Sequence, residues 1–137
     1  MPDCLFCKIV NKEIPATVVY EDDDTLAMLD IHPVNPGHVL VLPKVHTENM
    51  LTADDPVLSR TMAIVRRMAH AVQKAMNAEG INLAQNNGAA AGQVVMHLHF
   101  HVIPRHPDDG RELWHGNAYA SPEEMSAVAD QIKKNLA

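Results

Sequence analysis

No stretch of this 137-residue chain is apolar for anything near the roughly 20 residues a membrane-spanning helix requires, so a soluble protein without a membrane partner is expected. Basic residues are also scarce: 11 Lys and Arg stand against 17 Asp and Glu, a formal charge of -6. Phosphate-backbone binding draws on clustered Lys and Arg, so the balance excludes a broad nucleic-acid surface but leaves room for a small anionic ligand held by local donors. Cysteine occurs only as Cys4 and Cys7. The start, Met1-Pro2-Asp3-Cys4, has no basic n-region and no hydrophobic stretch leading to a cleavage site, so neither a secretory nor a transit segment is expected. A cytoplasmic, thiol-reducing setting follows, in which the C-x-x-C spacing suits a metal or a redox pair better than a structural disulfide. The length suits one hydrophobic core, so residues 1–137 are read as a single domain with any site inside it or at a dimer seam.

What is present reads as antiparallel strands with helices. Short apolar stretches at Ile14–Val19 and Thr25–Ile31 flank the acidic turn Glu21-Asp22-Asp23-Asp24, and His38–Leu42 is a continuously apolar strand that stops at Pro43. Asp54-Asp55-Pro56 opens a long helix with Leu58, Met62, Val65, Ala69, Val72 and Met76 at helical spacing up to Gly80. A strand at Asn82–Gln85 leads into the small-residue loop Asn86–Gly92, and another strand is expected at Val95–Ile103. Residues 104–120 form a Pro-, Gly- and Asp-rich loop. Ser121-Pro122-Glu123-Glu124 is a capping box, opening a helix with Met125, Val128, Ala129, Ile132 and Leu136 on one face. The fold class is therefore α+β, an antiparallel β-sheet with one long helix packed on it and a C-terminal helix.

Histidine is in excess, at nine residues, and three of them alternate in His97-Leu98-His99-Phe100-His101-Val102-Ile103. On a strand the imidazoles would share one face while Leu98, Phe100 and Val102 share the core face. Two chemistries use such a row: a zinc whose open position activates water, or a neutral imidazole that attacks phosphorus and forms a covalent histidine intermediate. The loop before it, Asn86 through Val94, has little side-chain bulk, so its backbone N–H groups can approach a phosphate; this favours the phosphorus chemistry. His70, His106 and His115 are read as ordinary polar side chains, and Trp114 first as core packing, with a cover over the site or a dimer seam as other placements.

The string Gly92-Gln93-Val94-Val95-Met96-His97-Leu98-His99-Phe100-His101-Val102-Ile103 resembles the His-φ-His-φ-His-φ-φ signature of the histidine triad family, φ being apolar. Phe6–Ala16, Met28–Pro33, His38 and Pro43-Lys44 are similar to the family's other segments. The resemblance implies a homodimer joining two antiparallel sheets, and hydrolysis or transfer of nucleoside monophosphate groups from purine nucleoside phosphoramidates or dinucleoside polyphosphates. It implies His99 as nucleophile, His101 as phosphate donor and His38 in support. It also implies Asn86, Gly92 and the Gln93 and Val94 amides around the phosphate, Asp30 at the ribose, and Phe6, Ile9, Leu29 and Ile31 around the base. Family members that cleave phosphoramidates well commonly carry Ser or Thr at the position of Val94, whose side chain has no donor, so slower P–N cleavage is expected here.

For Cys4 and Cys7 three readings stand: a redox pair, a free-thiol pair, and a zinc site. A thioredoxin-type pair is disfavoured because the motif is expected to precede a strand rather than open a helix. A zinc-binding subset of the family implies Cys4, Cys7, His46 and His97 as one closed, structural Zn2+ set, with His99 left free. A nucleotide-binding interaction module without turnover, and a zinc hydrolase using all three triad histidines, are the competing functions.

Overall fold

The acidic turn forms around one carboxylate. Asp22 Oδ1 accepts the backbone N–H groups of Asp24 and Thr25, both at 2.8 Å, and Oδ2 accepts the Tyr20 hydroxyl at 2.7 Å. That turn reverses the chain between β1 (Val18–Glu21), which begins and ends later than its apolar stretch suggests, and β2 (Thr25–Leu29), which starts where expected and ends two residues earlier. The structure, a computed structural model, describes residues 3–136, so Met1 and Pro2 of the opening segment and Ala137 lie outside it.

A short helix the sequence reading did not foresee, α1 (Leu5–Val10), opens the chain with Cys4 as its N-cap. After β2 come β3 (Val39–Pro43), α2 (Asp55–Ala75), β4 (Gly80–Ala84), β5 (Phe100–Arg105) and α3 (Pro122–Lys134). The strands make one five-stranded sheet in the order β1-β2-β3-β5-β4, antiparallel at every pairing. β3 is buried along its whole length between β2 and β5, as its unbroken apolarity predicts. Ala27, Val39, Val41, Phe100 and Val102 form the main core with Ile64, Val65, Met68 and Val72 of α2, while Phe6 and Ile9 of α1 pack on the opposite sheet face against Leu26, Met28, Leu40 and Leu42.

Three expectations change. The buried face of α2 is Thr61, Ile64, Val65, Met68 and Val72, so Met62 lies outside it, 43% exposed. Thr61 enters the core because its hydroxyl donates to the Val57 carbonyl at 2.8 Å, which removes the cost of burying it. α3 forms with the expected cap, Ser121 Oγ accepting the Glu124 N–H at 3.0 Å, but no residue of it is buried, and Met125, Ile132 and Leu136 face solvent. Trp114 is 93% exposed and belongs to no core. No helix among the described residues is long and apolar enough to cross a membrane.

Gly37 is required twice over. Its φ of +96° lies in the left-handed region, and a Cβ there would stand 2.5 Å from Met76 Cγ. This glycine lets the turn carrying His38 pass under the end of α2.

Candidate active site

The expected histidine strand is shorter than its alternation suggests, because β5 starts only at Phe100. Upstream, the Leu98 N–H donates to the Thr47 carbonyl and the Gln93 side chain donates to the Glu48 carbonyl, so the segment is pinned to the turn after β3 instead of to a neighbouring strand. The apolar alternation survives, with Leu98, Phe100 and Val102 buried, but the three imidazoles do not converge. His99 and His101 line one cavity; His97, fully buried, turns toward the cysteines.

That cavity has a volume of about 450 Å³ and lies between α1, the end of β2 and the Gly92–Val95 segment. Phe6, Ile9, Leu29 and Ile31 wall it, with Asp30, Gly92 and Val94 at its edge, so most of the anticipated nucleotide contacts meet in one place. Leu5, Met28, Leu40 and Val95 also line it and were missed, because an apolar residue in a strand or beside a helix carries no signal separating pocket wall from core. Asn86 does not line the cavity but stands beside its rim, its Nδ2 3.4 Å from where a Cβ on Gly92 would sit. Gln93 serves differently than anticipated. Its backbone N–H donates to the Gly88 carbonyl at 3.1 Å and its side chain accepts the Gly88 N–H and donates to the Glu48 and Val95 carbonyls, so the residue braces the loop. The Val94 N–H makes no hydrogen bond among the described residues, and Val94 is 88% exposed.

Backbone groups dictate the tautomer of each buried imidazole, since a carbonyl can only accept and an N–H can only donate. His99 Nδ1 lies 2.7 Å from the His97 carbonyl, so it carries the proton and the Nε2 lone pair is left free. Val34 N–H donates to His38 Nδ1 at 3.0 Å, which puts the His38 proton on Nε2. His38 Nε2–H then donates to His101 Nδ1 at 2.9 Å, and the remaining His101 nitrogen, Nε2, must be a donor. The site thus presents one lone pair and one N–H. Burial pushes the His99 and His38 imidazoles below their ordinary value, and pushes His101 down to about 4 with the neighbouring His99 and His38 adding to the effect. All are neutral near pH 7, the state in which an imidazole is a nucleophile. Asp30 Oδ2 stands 3.6 Å from His38 Nε2 while Oδ1 accepts the His32 N–H at 2.8 Å, leaving the carboxylate oriented at the cavity edge.

The second cluster joins distant parts of the chain. His97 Nε2 donates to the Pro43 carbonyl at 2.8 Å, so its Nδ1 lone pair faces Cys4 Sγ at 3.4 Å and Cys7 Sγ at 3.6 Å; His46 Nδ1 lies 3.4 Å from Cys7 Sγ. Zn–S and Zn–N bonds at a tetrahedral angle separate sulfur from nitrogen by about 3.6 Å, so the donor set fits such a cation. Burial pushes His97 down to about 4, keeping it a neutral ligand. These four residues can hold a metal ion. Contrary to expectation the C-x-x-C does open a helix, yet burial and the adjacent Cys4 raise the Cys7 thiol, opposite to what a redox-active thiolate needs. With His97 turned away and both its nitrogens engaged, the three triad histidines do not form one zinc-hydrolase site.

Comparison with known proteins identifies the family to which this fold belongs. The HIT domain family model matches residues 11–108. An uncharacterised HIT-like protein of Methanocaldococcus jannaschii is 47% identical over 97% of this chain and 98% of its own length. Adenylylsulfatase HINT3 of Arabidopsis thaliana is 42% identical, covering 98% of this chain and 70% of its own, and adenosine 5'-monophosphoramidase hnt1 of Schizosaccharomyces pombe is 38% identical over 97% and 98%. Among solved structures, a HIT family protein from Bacillus subtilis superposes with a TM-score of 0.90 at 39% identity over 98% of each chain. A Zn-bound histidine triad family protein from Mycobacterium smegmatis superposes at 0.78 with 34% identity, covering 98% of this chain and 99% of its own. The family model spans both the sheet and the histidine segment, and with relatives of this identity and coverage the chain belongs to the HIT domain family.

Proposed function

We propose that this protein is a nucleotide hydrolase or transferase that cleaves purine nucleoside phosphoramidates at the α-phosphate through a covalent nucleotidyl-histidine intermediate. The observation that carries the reading is the His99 ring, whose Nδ1 is committed to the His97 carbonyl so that a neutral Nε2 lone pair faces the cavity. That cavity is of a size ordinary for small-molecule sites, with an apolar wall suited to a base and Asp30 placed to accept from both ribose hydroxyls. In the first step His99 Nε2 bonds to phosphorus while the P–N bond breaks, the amine taking the bonding pair and a proton from solvent water. In the second, water attacks the phosphorus and releases a proton to solvent, while the P–N bond to His99 breaks and His99 leaves as the neutral imidazole. The Val94 N–H and His101 Nε2–H stabilise the charge that develops on the phosphoryl oxygens, with Gly92, Gln93 and Asn86 shaping or bordering the loop that presents them.

The same residues support the rest of the reading. Cys4, Cys7, His46 and His97 hold a structural Zn2+ that ties α1 to the catalytic segment. The cytoplasm keeps both thiols reduced, and residues 1–137 act as one domain. β4 is a sheet edge carrying the exposed Leu83, the place where a second copy would extend the sheet into a homodimer.

A second leaving-group class is favoured by Val94. Sulfate or a polyphosphate departs without needing a proton, whereas an amine does not, so a site with no side-chain donor there suits adenylyl sulfate or a dinucleoside polyphosphate. The test is AMP release from adenosine 5'-phosphoramidate, adenylyl sulfate and diadenosine tetraphosphate, with mass spectrometry of acid-quenched protein for the AMP adduct. Turnover with an adduct upholds the reading, and the fastest substrate names the leaving group. AMP binding without turnover on any of the three would make this a binding module instead. Val94→Ser is expected to raise phosphoramidate turnover about tenfold while leaving adenylyl sulfate unchanged; an unchanged phosphoramidate rate would show that the missing hydroxyl does not limit the reaction.

A further inference from the structure

Asn35 lies outside the cavity, yet it is buried and both partners of its amide are unusual. Its Nδ2 donates to the Pro104 carbonyl at the end of β5, at 2.9 Å, and to Asp109 Oδ2 at 3.0 Å. Asp109 is held by Arg105, which donates from Nε to Oδ2 at 2.7 Å and from Nη2 to Oδ1 at 3.0 Å, while Arg105 Nη1 reaches Asn82 Oδ1 on β4 at 2.6 Å. The backbone N–H groups of His106 and Arg111 complete the carboxylate's partners. Two strands and the start of the late loop are clasped together, and Asn35 is the plug that joins the Val34–His38 turn to them.

That turn has a chemical consequence. The Asn35 carbonyl accepts the His38 N–H at 3.1 Å, and the neighbouring Val34 N–H is the group that claims His38 Nδ1. If the turn shifts, that claim lapses. His38 is then free to carry its proton on Nδ1, its Nε2 becomes an acceptor, and His101 Nδ1 must supply the proton between the two rings. The His101 nitrogen facing the cavity would become a lone pair, repelling a phosphoryl oxygen where a donor is needed.

We propose that Asn35, braced by the Arg105–Asp109 pair, is a positioning residue that sets the ring tautomers of His38 and His101 and so makes His101 Nε2 an obligatory donor. The inference rests on the proposed function only for its effect on turnover. The tautomers themselves are readable without substrate, from the ring 15N shifts of histidine-labelled full-length protein, in which His38 and His101 carry their protons on Nε2. Asn35→Ala should move both rings toward mixed tautomers. With adenosine 5'-phosphoramidate, or adenylyl sulfate if that is turned over faster, kcat should fall about tenfold with KM within about twofold. Asp109→Asn leaves the Pro104 bond in place but removes the carboxylate charge and one of the two oxygens shared by Asn35, Arg105 and the His106 and Arg111 N–H groups, so it loosens the brace, gives the same changes at about threefold, and serves if Asn35→Ala does not fold. Unchanged ring shifts in either folded variant overturn the proposal whatever the activity does. Mixed tautomers with an unchanged kcat in an active enzyme overturn it as well. A wild type that turns over neither substrate but shows the expected shifts would sink the proposed function and leave the tautomer assignment standing.

Discussion

Replacing His99 by alanine is expected to lower AMP release by about four orders of magnitude or more, with no AMP adduct on the quenched protein. The size of the effect follows from the absence of a substitute. His97 has both nitrogens engaged away from the cavity, and His101 offers an N–H rather than a lone pair. Phe6, Ile9, Leu29, Ile31 and Asp30 line the cavity and are the residues proposed to contact base and ribose, so the variant should still bind AMP with close to wild-type affinity. His99 is half-buried at the cavity and packs edge-on against Phe6 at 5.0 Å, which makes a small change in Tm the expected companion. Calorimetric AMP binding beside the turnover assay separates the outcomes: retained binding with lost turnover assigns the nucleophile, whereas retained turnover would remove His99 from that role.

Stripping metal with a chelator, or replacing Cys7 by serine, is expected to lower Tm by about 10 °C or more, with zinc restoring the stripped protein but not the variant. The cluster ties three segments far apart in sequence: Cys4 and Cys7 at the head of α1, His46 after β3, and His97 ahead of β5. A helix of six residues does not hold itself in water, and α1 supplies Phe6 and Ile9 to both the smaller core and the cavity wall. Losing the metal should therefore loosen α1 first. Turnover at low temperature should persist with a raised KM, because the base wall is disturbed while His99 keeps its hydrogen bond to the His97 carbonyl. An unchanged Tm, together with no zinc in elemental analysis, would instead establish a free-thiol pair.

Local chemistry made much of the fold legible. Asp22 could close the first turn, Ser121 could cap α3 and the unbroken apolar run of β3 could mark a central strand, because each depends on residues within a few positions of one another. The histidine alternation likewise marked Leu98, Phe100 and Val102 as a core face, and all three are buried as expected. The limits of β5 were not legible: the bonds from Leu98 and Gln93 to the Thr47 and Glu48 carbonyls cross some fifty positions of sequence. The same holds for α1, six residues too short to stand as a helix alone and held by the packing of Phe6 and Ile9 on the sheet.

By itself the sequence determined which residue types were available for chemistry, an alternating imidazole row beside a loop of small residues and a C-x-x-C with distant histidines. The tertiary structure decided how the row is divided. Each imidazole has two nitrogens, and which one carries the proton depends on a backbone carbonyl or N–H from elsewhere in the fold: Pro43 for His97, Val34 for His38, and through His38 also His101. A hydrogen-bond partner brought from a distance leaves no trace in the pattern of the residue it orients, so which imidazole nitrogen offers a lone pair and which a proton becomes legible only once the chain is folded.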